Sequence, residues 1–249
     1  MMGDAAAPGP GVRENPRMTA PAPRTNEFGQ PIGEPVDYRG ARTPGPVTLT
    51  GTTCTLEPLA VAHAPELLAS LRAAAGDEQW TYMGFGPCAD EGEFAAVVSS
   101  LVDDPGMVPF AIRVGDGPVA GMASLMRIAP AGGTIEVGTI MYGAGLRRTT
   151  TATEVIALLA RHVIEELGYR RFEWKCDALN APSRRAALRL GFTFEGVWRH
   201  AMIYKGRNRD TAWFAMTDAD WARLRPGYEA WIAQADGPDA RPLGSFLAQ

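Results

Sequence analysis

The chain has 249 residues, of which 46% are hydrophobic and 21% are charged, as in an ordinary globular protein. Its 24 Lys and Arg residues against 28 Asp and Glu residues give a net charge of −4, which argues against nucleic acid or an anionic membrane surface as a partner. No apolar stretch approaches the about 18–20 residues that span a bilayer, and the N-terminus lacks the apolar core of a signal peptide. We therefore expect a cytoplasmic protein.

Cysteine usage excludes two further classes of protein. The chain has an odd number of cysteines and no Cys-x-x-Cys spacing; the three are Cys54, Cys88 and Cys176. This pattern predicts neither a disulfide framework nor a zinc site, so we expect no metal.

The composition changes near residue 47. Residues 1–46 are rich in Pro, Gly and Ala and lack apolar periodicity, which predicts a mostly disordered extension. Met18 is an alternative start, and 26–38 an alternative ordered arm. We predict one domain over 47–225, followed by a C-terminal helical tail over 226–249.

Hydrophobic periodicity predicts alternating strands and helices in the first half of that domain. The predicted elements are strands at 47–49 and 53–56, helices at 62–75 and 91–104, and strands at 110–114, 119–128 and 134–142.

The second half continues with helices at 152–167 and 182–190 and strands at 171–177, 192–204 and 211–216. The last two strands are predicted to form a hairpin around 205–208. A final helix starts near Asp218, with Pro226 interrupting or restarting it. This order predicts an α/β protein with a mixed central sheet and helices on both faces.

The segment 135–167 passes from a strand through a Gly-Ala-Gly turn into a long helix. Thr151 and Glu154 have the spacing of a capping box. A helix N-terminus offers free N–H groups and a positive dipole end that suit a phosphate, and Arg147 and Arg148 add charge. The alternative is a solvated turn whose hydroxyls only cap the helix.

A second motif begins at Asn180, has Ser183 three residues later, and ends at Gly191-Phe192. With these residues the chain resembles the GNAT superfamily of acyl-CoA N-acetyltransferases. The upstream loop 147–152 is similar to the family's pyrophosphate motif, Arg/Gln-x-x-Gly-x-Gly/Ala. The resemblance covers roughly 50–217 and is nearest to the branch of the ribosomal-protein alanine N-acetyltransferases, which the run 205–210 reinforces.

This resemblance implies a GNAT-like domain that binds acetyl-CoA as co-substrate. The loop 146–153 would wrap the pyrophosphate, the end of the preceding strand would pair with the pantetheine arm, and Ser183 would face the thioester sulfur. The residues implied in cofactor binding are Ile140, Met141, Tyr142, Arg147, Arg148, Thr149, Thr150, Thr151, Ala152, Asn180 and Ser183. Arg184 and Arg185 would either reach the phosphates or only solubilise their helix.

The chain departs from the family pattern at two positions. Thr150 replaces the usual glycine of the pyrophosphate motif, and its Cβ narrows the backbone approach. Ala187 replaces the tyrosine that protonates the departing thiolate in many GNAT enzymes. Ser183 is then the remaining candidate acid on this helix.

Transfer requires a neutral amine, and an alkylamine is largely protonated at neutral pH, so a base assists the reaction. Glu136 matches the place where the family often keeps a carboxylate. Strand alternation predicts Glu136, Gly138 and Ile140 on one face, with 137, 139 and 141 on the other. The alternative role for Glu136 is an ion pair with a nearby Arg; His200 and Tyr204 are weaker candidates for the base.

Other features allow two interpretations each. The run 80–83 either roofs an acceptor pocket or covers the sheet, and the basic run 199–209 is either a recruiting surface or a solvated hairpin. Cys176 is expected in the core rather than as a nucleophile. An apolar stripe on the last helix is expected to be core or a dimer contact; its members are Trp221, Leu224, Tyr228 and Trp231.

The sequence thus predicts an N-acetyltransferase that moves the acetyl group of acetyl-CoA to a primary amine of a protein N-terminus or a small molecule. The rival hypothesis is a GNAT-like domain that binds acyl-CoA without turnover, as a sensor or interaction module. We expect no nucleic acid or membrane partner and either a monomer or a homodimer.

Overall fold

The computed structural model describes residues 24–234 and 242–247, and it divides the chain into two compact units at Arg39 and Gly40. In the first unit, a short hairpin pairs β1 (Arg24–Thr25) with β2 (Pro31–Ile32). The Asn26 side chain closes its turn by accepting hydrogen bonds from the N–H groups of Phe28 and Gln30. Met18 and the first half of the predicted extension, residues 1–23, lie outside the described residues.

The second unit contains one eight-stranded sheet, six α-helices and three shorter helical turns in its described part. The strands are β3 (Leu49–Thr50), β4 (Cys54–Pro58), β5 (Met107–Val114), β6 (Val119–Ala129), β7 (Thr134–Tyr142), β8 (Arg171–Asp177), β9 (Thr193–Tyr204) and β10 (Arg207–Thr217). The helices are α1 (Ala64–Ala74), α2 (Glu91–Val102), α3 (Thr150–Arg161), α4 (Ala181–Arg189), α5 (Asp218–Gln234) and α6 (Gly244–Leu247), with a π-helical turn at His162–Glu166.

The sheet has the order β3-β4-β5-β6-β7-β8-β10-β9. Every neighbouring pair is antiparallel except β7 and β8, which are parallel and are joined through α3. A parallel pair needs such a crossover, which places the start of α3 at the carboxyl end of β7. The predicted mixed α/β sheet is confirmed.

Helices cover both faces of the sheet. On one face, α1 and α2 pack Leu67, Leu71 and Phe94 against the sheet. On the other, α3, α4 and α5 contribute to a larger core with Phe172 and Phe214. No helix among the described residues is long and apolar enough to cross a membrane.

The last helix differs from the prediction. α5 continues through Pro226 without a break, so the predicted boundary between residues 225 and 226 falls inside one helix. A proline within a helix costs about 3 kcal/mol. Trp221, Leu224 and Tyr228 are buried on both sides of the proline and hold the helix against the core. Packing therefore outweighs the lost hydrogen bond.

The hairpin of β9 and β10 is longer and tighter than predicted. Its connection has only two residues, Lys205 and Gly206, with φ of 48° and 67°. Positive φ at both positions is the geometry that matches the twist of a two-residue hairpin. The strands therefore extend to Tyr204 and Arg207.

All three cysteines are free and buried. Burial, reinforced by the neighbouring Glu154 carboxylate, raises the pKa of the Cys54 thiol to about 12. Burial also raises the pKa of Cys88 and of Cys176, and Cys176 belongs to the main core as predicted.

Candidate active site

The parallel strands β7 and β8 separate before they end. Their register runs from Thr134↔Arg171 to Val137↔Trp174 and stops there, although β7 continues to Tyr142 and β8 to Asp177. The two strands, both described in full, thus diverge into an opening that faces α3 and α4. Peptide groups along the opening are available to a ligand with amide groups of its own.

A β-bulge lies in β7 at this opening. Met122 pairs with Met141 and Ser124 with Gly138, so two residues of β7 oppose one residue of β6. Thr139 has a φ of 51°, which a β-branched residue rarely adopts. The extra residue shifts the alternation of β7. Gly138 shares the face of Glu136 as predicted, but the prediction that Ile140 lies on the same face is wrong.

Packing confirms that the side chains change faces at the bulge. Val137 and Ile140 both pack with the core beneath α3, whereas Met141 packs with α1 and α2. Strained backbone of this kind is common at functional sites. The bulge turns the outer peptide groups of β7 away from their regular ladder positions.

The loop after β7 is held from both sides. Gly143 donates its N–H to the Ala120 carbonyl at 2.8 Å, and the N–H of Ala144 donates to the Ser70 carbonyl on α1 at 3.3 Å. A Cβ at Gly143 would lie 2.0 Å from Ser70 Oγ, so only glycine fits without movement. The loop therefore has a fixed path into α3.

Helix α3 starts two residues earlier than the capping-box prediction requires. Thr149 is its N-cap, and its Oγ1 accepts from the N–H of Ala152 at 3.2 Å. The N–H groups of Thr150 and Thr151 have no acceptor within the helix, since they belong to its first turn. The positive end of the helix dipole lies at the same turn.

The predicted capping box of Thr151 and Glu154 is wrong. Glu154 is buried and reaches sideways to the β3–β4 turn, where it accepts from the N–H groups of Thr52 at 2.5 Å and Thr53 at 2.8 Å. The Glu154 carboxylate thus bonds two backbone N–H groups of a turn that is distant in sequence. In a capping box it would bond only one backbone N–H, that of the N-cap residue.

The two arginines of the loop are both exposed but differ in their contacts. Arg147 Nε donates to the Tyr142 carbonyl at 2.9 Å, which ties this side chain to the end of β7. Arg148 has a φ of 62° and makes no ion pair among the described residues. Arg148 is therefore the freer of the two cations for a phosphate.

The start of α4 brings Asn180 and Ser183 to the edge of the opening. Asn180 is the N-cap, and its Oδ1 accepts from the Ser183 N–H at 3.1 Å. The indole N–H of Trp174 donates to Ser183 Oγ at 3.0 Å, and the same hydroxyl lies within hydrogen-bonding reach of the Cys176 thiol. Ala187 is fully buried in the core, so this position presents no side chain to the opening.

Glu136 lies buried on the sheet face that carries α1 and α2. Its Oε2 is 2.7 Å from Lys175 Nζ and 3.4 Å from Arg127 Nε. Lys175 also contacts Glu173 at 3.2 Å and lies 3.5 Å above the ring of Trp213. Burial raises the pKa of Glu136, while Lys175 and Arg127 oppose that rise.

Comparison with known proteins identifies the family. Residues 54–193, more than half of the chain, match the model of the acetyltransferase (GNAT) domain. The chain belongs to the GNAT family of acetyltransferases. It is an acyltransferase, and this family uses acetyl-CoA.

Solved structures agree with this assignment. A GCN5-related N-acetyltransferase from Brucella melitensis is 37% identical over 86% of this chain and 99% of its own, with a TM-score of 0.82. A probable GNAT acetyltransferase from Chromobacterium violaceum is 34% identical over 78% and 99%, with a TM-score of 0.72. The microcin C7 self-immunity acetyltransferase, crystallised with acetyl-CoA and AMP, shares the fold at 23% identity over 67% and 93%, with a TM-score of 0.58. No curated protein matches the sequence.

The weaker candidates of this GNAT chain lie on the β9–β10 hairpin. Tyr204 donates its hydroxyl to Asp177 Oδ2 at 2.7 Å, at the end of β8. His200 is exposed, and its backbone N–H donates to Asp210 Oδ1 at 2.8 Å. Tyr204 thus contacts Asp177 at the opening, whereas His200 contacts Asp210 on the hairpin.

The loop between α1 and α2 crosses to the same end of β8. Tyr82 donates its hydroxyl to the Leu179 carbonyl at 3.2 Å, and Lys205 donates to the Trp80 carbonyl at 2.7 Å. These contacts place the run 80–83 near the opening, as a roof over an acceptor pocket would require. Trp80 itself is buried.

Asp177, Lys175 and Trp213 did not emerge from the sequence as site residues. Their proximity to Glu136 and Tyr204 depends on the register of β8 with β7 and β10, which periodicity does not encode. No group of three or more His, Cys, Asp or Glu side chains able to hold a metal occurs within 24–234 and 242–247.

Proposed function

We propose that the protein transfers the acetyl group of acetyl-CoA to a primary amine by direct attack at the opening between β7 and β8. The single observation that carries the proposal is the end of strand pairing at Val137↔Trp174, with the free first turn of α3 directly beyond it. The strands along the opening carry peptide groups without strand partners on that side. The free N–H groups of the first α3 turn, at the end of the opening, can bind an anion. Acetyl-CoA has amide groups in its pantetheine arm and a pyrophosphate beyond them.

The cofactor residues follow from that placement. Ile140, Met141 and Tyr142 would supply peptide groups to the pantetheine arm, with Asn180 at its other side. The pyrophosphate would lie on the N–H groups of the first α3 turn and beside Arg148. Its further ligands are the loop residues Arg147, Thr149, Thr150, Thr151 and Ala152.

The chemistry needs three events at the thioester. The amine nitrogen forms a bond to the acetyl carbon, the C–S bond breaks, and the amine loses a proton while the thiolate gains one. Ser183, held by Trp174, would protonate the thiolate. Glu136 would take the amine proton directly or through water. Backbone N–H groups of the bulged strand would stabilise the oxyanion.

The acceptor is proposed as a protein N-terminus or a small-molecule amine. The run Lys205-Gly-Arg-Asn-Arg209-Asp210 resembles the branch of the ribosomal-protein alanine N-acetyltransferases and favours the former. The exposed basic residues of this turn suit an acidic acceptor surface.

Two measurements test the proposal. Acetyl-CoA at a hundredfold excess over its Kd should add about 2.7 kcal/mol to the free energy of unfolding, whereas NAD should add nothing. Acetyl-CoA should also lose its acetyl group, measured as released thiol, when a mixture of a tripeptide with a free N-terminus, spermidine and kanamycin is present.

The two outcomes separate the hypotheses. Equal stabilisation by acetyl-CoA and NAD would contradict the cofactor assignment. Stabilisation without thiol release from any amine would favour the rival, an acyl-CoA-binding sensor or interaction module.

A further inference from the structure

Asp177 lies at the edge of the opening and is almost completely buried. It is the last residue of β8, three residues beyond the last pair with β7, and 5% of its surface is exposed. Its main-chain carbonyl accepts from the Asn180 N–H at 2.9 Å, so one turn of chain joins it to the start of α4. The carboxylate thus lies next to the residues proposed to hold the thioester.

Two hydrogen bonds orient this carboxylate. Oδ1 accepts from the Leu179 N–H at 2.8 Å, and Oδ2 accepts from the Tyr204 hydroxyl at 2.7 Å. A carboxylate has about four lone-pair sites, so acceptor capacity remains on both oxygens.

The carboxylate of Asp177 differs from that of Glu136 in its charge environment. Glu136 has Lys175 and Arg127 within 4.0 Å, whereas Asp177 has no ion pair in the part of the chain that the structure describes. The Arg209 guanidinium stacks 5.8 Å from the ring of Tyr204 rather than on the carboxylate. A buried carboxylate without a cation is costly, and a cationic ligand would offset that cost.

We infer that Asp177, oriented by Tyr204, binds the ammonium group of the acceptor beside the thioester. The nitrogen attacks after it has given one proton to Glu136 or to water, and it loses its second proton as the thiolate gains one. The inference rests on the proposed function and adds the residue that recognises the acceptor. The α1–α2 loop meets the chain at positions adjoining this pair, through Tyr82 to the Leu179 carbonyl and Lys205 to the Trp80 carbonyl.

The test compares a charged with an uncharged nucleophile. The charged probe is whichever of the tripeptide, spermidine and kanamycin is acetylated fastest by the wild-type protein. The uncharged probe is hydroxylamine, a neutral nucleophile at pH 7.5, after subtraction of its uncatalysed reaction with acetyl-CoA. Asp177→Asn keeps the shape and an acceptor oxygen but removes the charge.

In Asp177→Asn, kcat/KM for the charged amine should fall about 10- to 100-fold, the usual worth of a hydrogen bond to a charged group. The value for hydroxylamine and the KM for acetyl-CoA should change little. Asp103→Asn is the matched control, because this exposed carboxylate at the end of α2 accepts a hydrogen bond from the Ser99 hydroxyl and is not part of the proposed site.

An equal change for both nucleophiles, or for neither, would overturn the inference. If Asp177→Asn does not fold, Tyr204→Phe decides: loss of the orienting hydroxyl should raise the KM for the charged amine selectively. An unchanged selectivity in that variant would also overturn the inference. Absence of turnover with every nucleophile in the wild-type protein would instead contradict the proposed function.

Discussion

At the scale of single residues, Ser183 is the side chain whose contacts agree best with its proposed role. The Trp174 indole donates to the Ser183 hydroxyl oxygen and fixes its position at the start of α4. Ala187, at the position of the usual acid, is buried and has no proton to give.

Ser183→Ala should therefore lower kcat by about 10- to 1000-fold, within or below the usual worth of general acid catalysis. The dissociation constant of coenzyme A should barely change. Ser100→Ala, an exposed serine on α2 that bonds the Val97 carbonyl, serves as the control. Full turnover in Ser183→Ala would assign the proton to water or another group.

Glu136 is a base only when it is deprotonated. Because burial raises its pKa, the acidic limb of kcat/KM should lie above the ordinary glutamate value of about 4.3, and activity should fall as the pH falls through that raised pKa. Glu136→Gln should remove this limb and lower kcat/KM.

The matched control for Glu136 is Glu173→Gln. Both carboxylates contact Lys175, and the two residues are direct neighbours across β7 and β8. A purely structural role would lower the melting temperature in both variants and leave both pH profiles like that of the wild type. Loss of the limb in Glu136→Gln alone supports the base.

Arg148 is predicted to act on cofactor affinity. Arg148→Ala should raise the KM for acetyl-CoA about 3- to 10-fold, with a smaller change in kcat, because a phosphate contact is kept throughout the reaction. The effect should shrink at high salt. Arg223→Ala is the control, since this exposed arginine of α5 pairs with Asp220 near the opposite end of the sheet. Equal effects would contradict a phosphate contact.

At the scale of elements, α1 positions the cofactor loop through one glycine. The Cβ in Gly143→Ala would lie 2.0 Å from Ser70 Oγ and 2.7 Å from the Ala120 carbonyl oxygen, so α1, β6 or the loop must move. We expect a loss of about 1–3 kcal/mol of stability and a higher KM for acetyl-CoA.

Gly145→Ala is the matched control two residues later, where the new Cβ meets only Ala120 Cβ at an ordinary 3.8 Å. Thermal melting and the KM for acetyl-CoA separate the two variants. A stable Gly143→Ala with unchanged KM would show that the loop does not depend on this contact.

The helices and strands also show how much of the fold the sequence could predict. The spacing of apolar residues located α1, α2 and β8 within a few residues, since each of these elements has one face on the core. Periodicity missed the bulge at Thr139, because a bulge is a property of two paired strands rather than of one.

The candidate site divides in the same way. The place of Asn180 and Ser183 at a helix start was predictable because both lie in one local motif. The Lys175 partner of Glu136 and the Asp177 partner of Tyr204 were not, because each pair joins distant segments through the sheet register. Glu154 likewise matched a local pattern but bonds a turn about a hundred residues away.

At the scale of the whole molecule, the strand order explains why the candidate site residues lie at one end of the sheet. β7 and β8 are the only parallel pair in the described sheet, and the crossover helix between them must start where β7 ends. Ligands of open α/β sheets bind beyond the carboxyl ends of such strands. The α1–α2 loop and the β9–β10 turn extend past the same edge and complete the walls.

Because its three cysteines are buried, the folded protein should react only slowly with thiol reagents. Reaction of a thiol with a disulfide dye requires an accessible thiolate, and Cys54, Cys88 and Cys176 are all buried with raised pKa values. Coenzyme A set free in solution therefore gives the fast colour, while the protein adds a slow background. Because denaturant would expose three further thiols per chain, the same dye also counts unfolded molecules, so turnover and integrity can be followed in one cuvette.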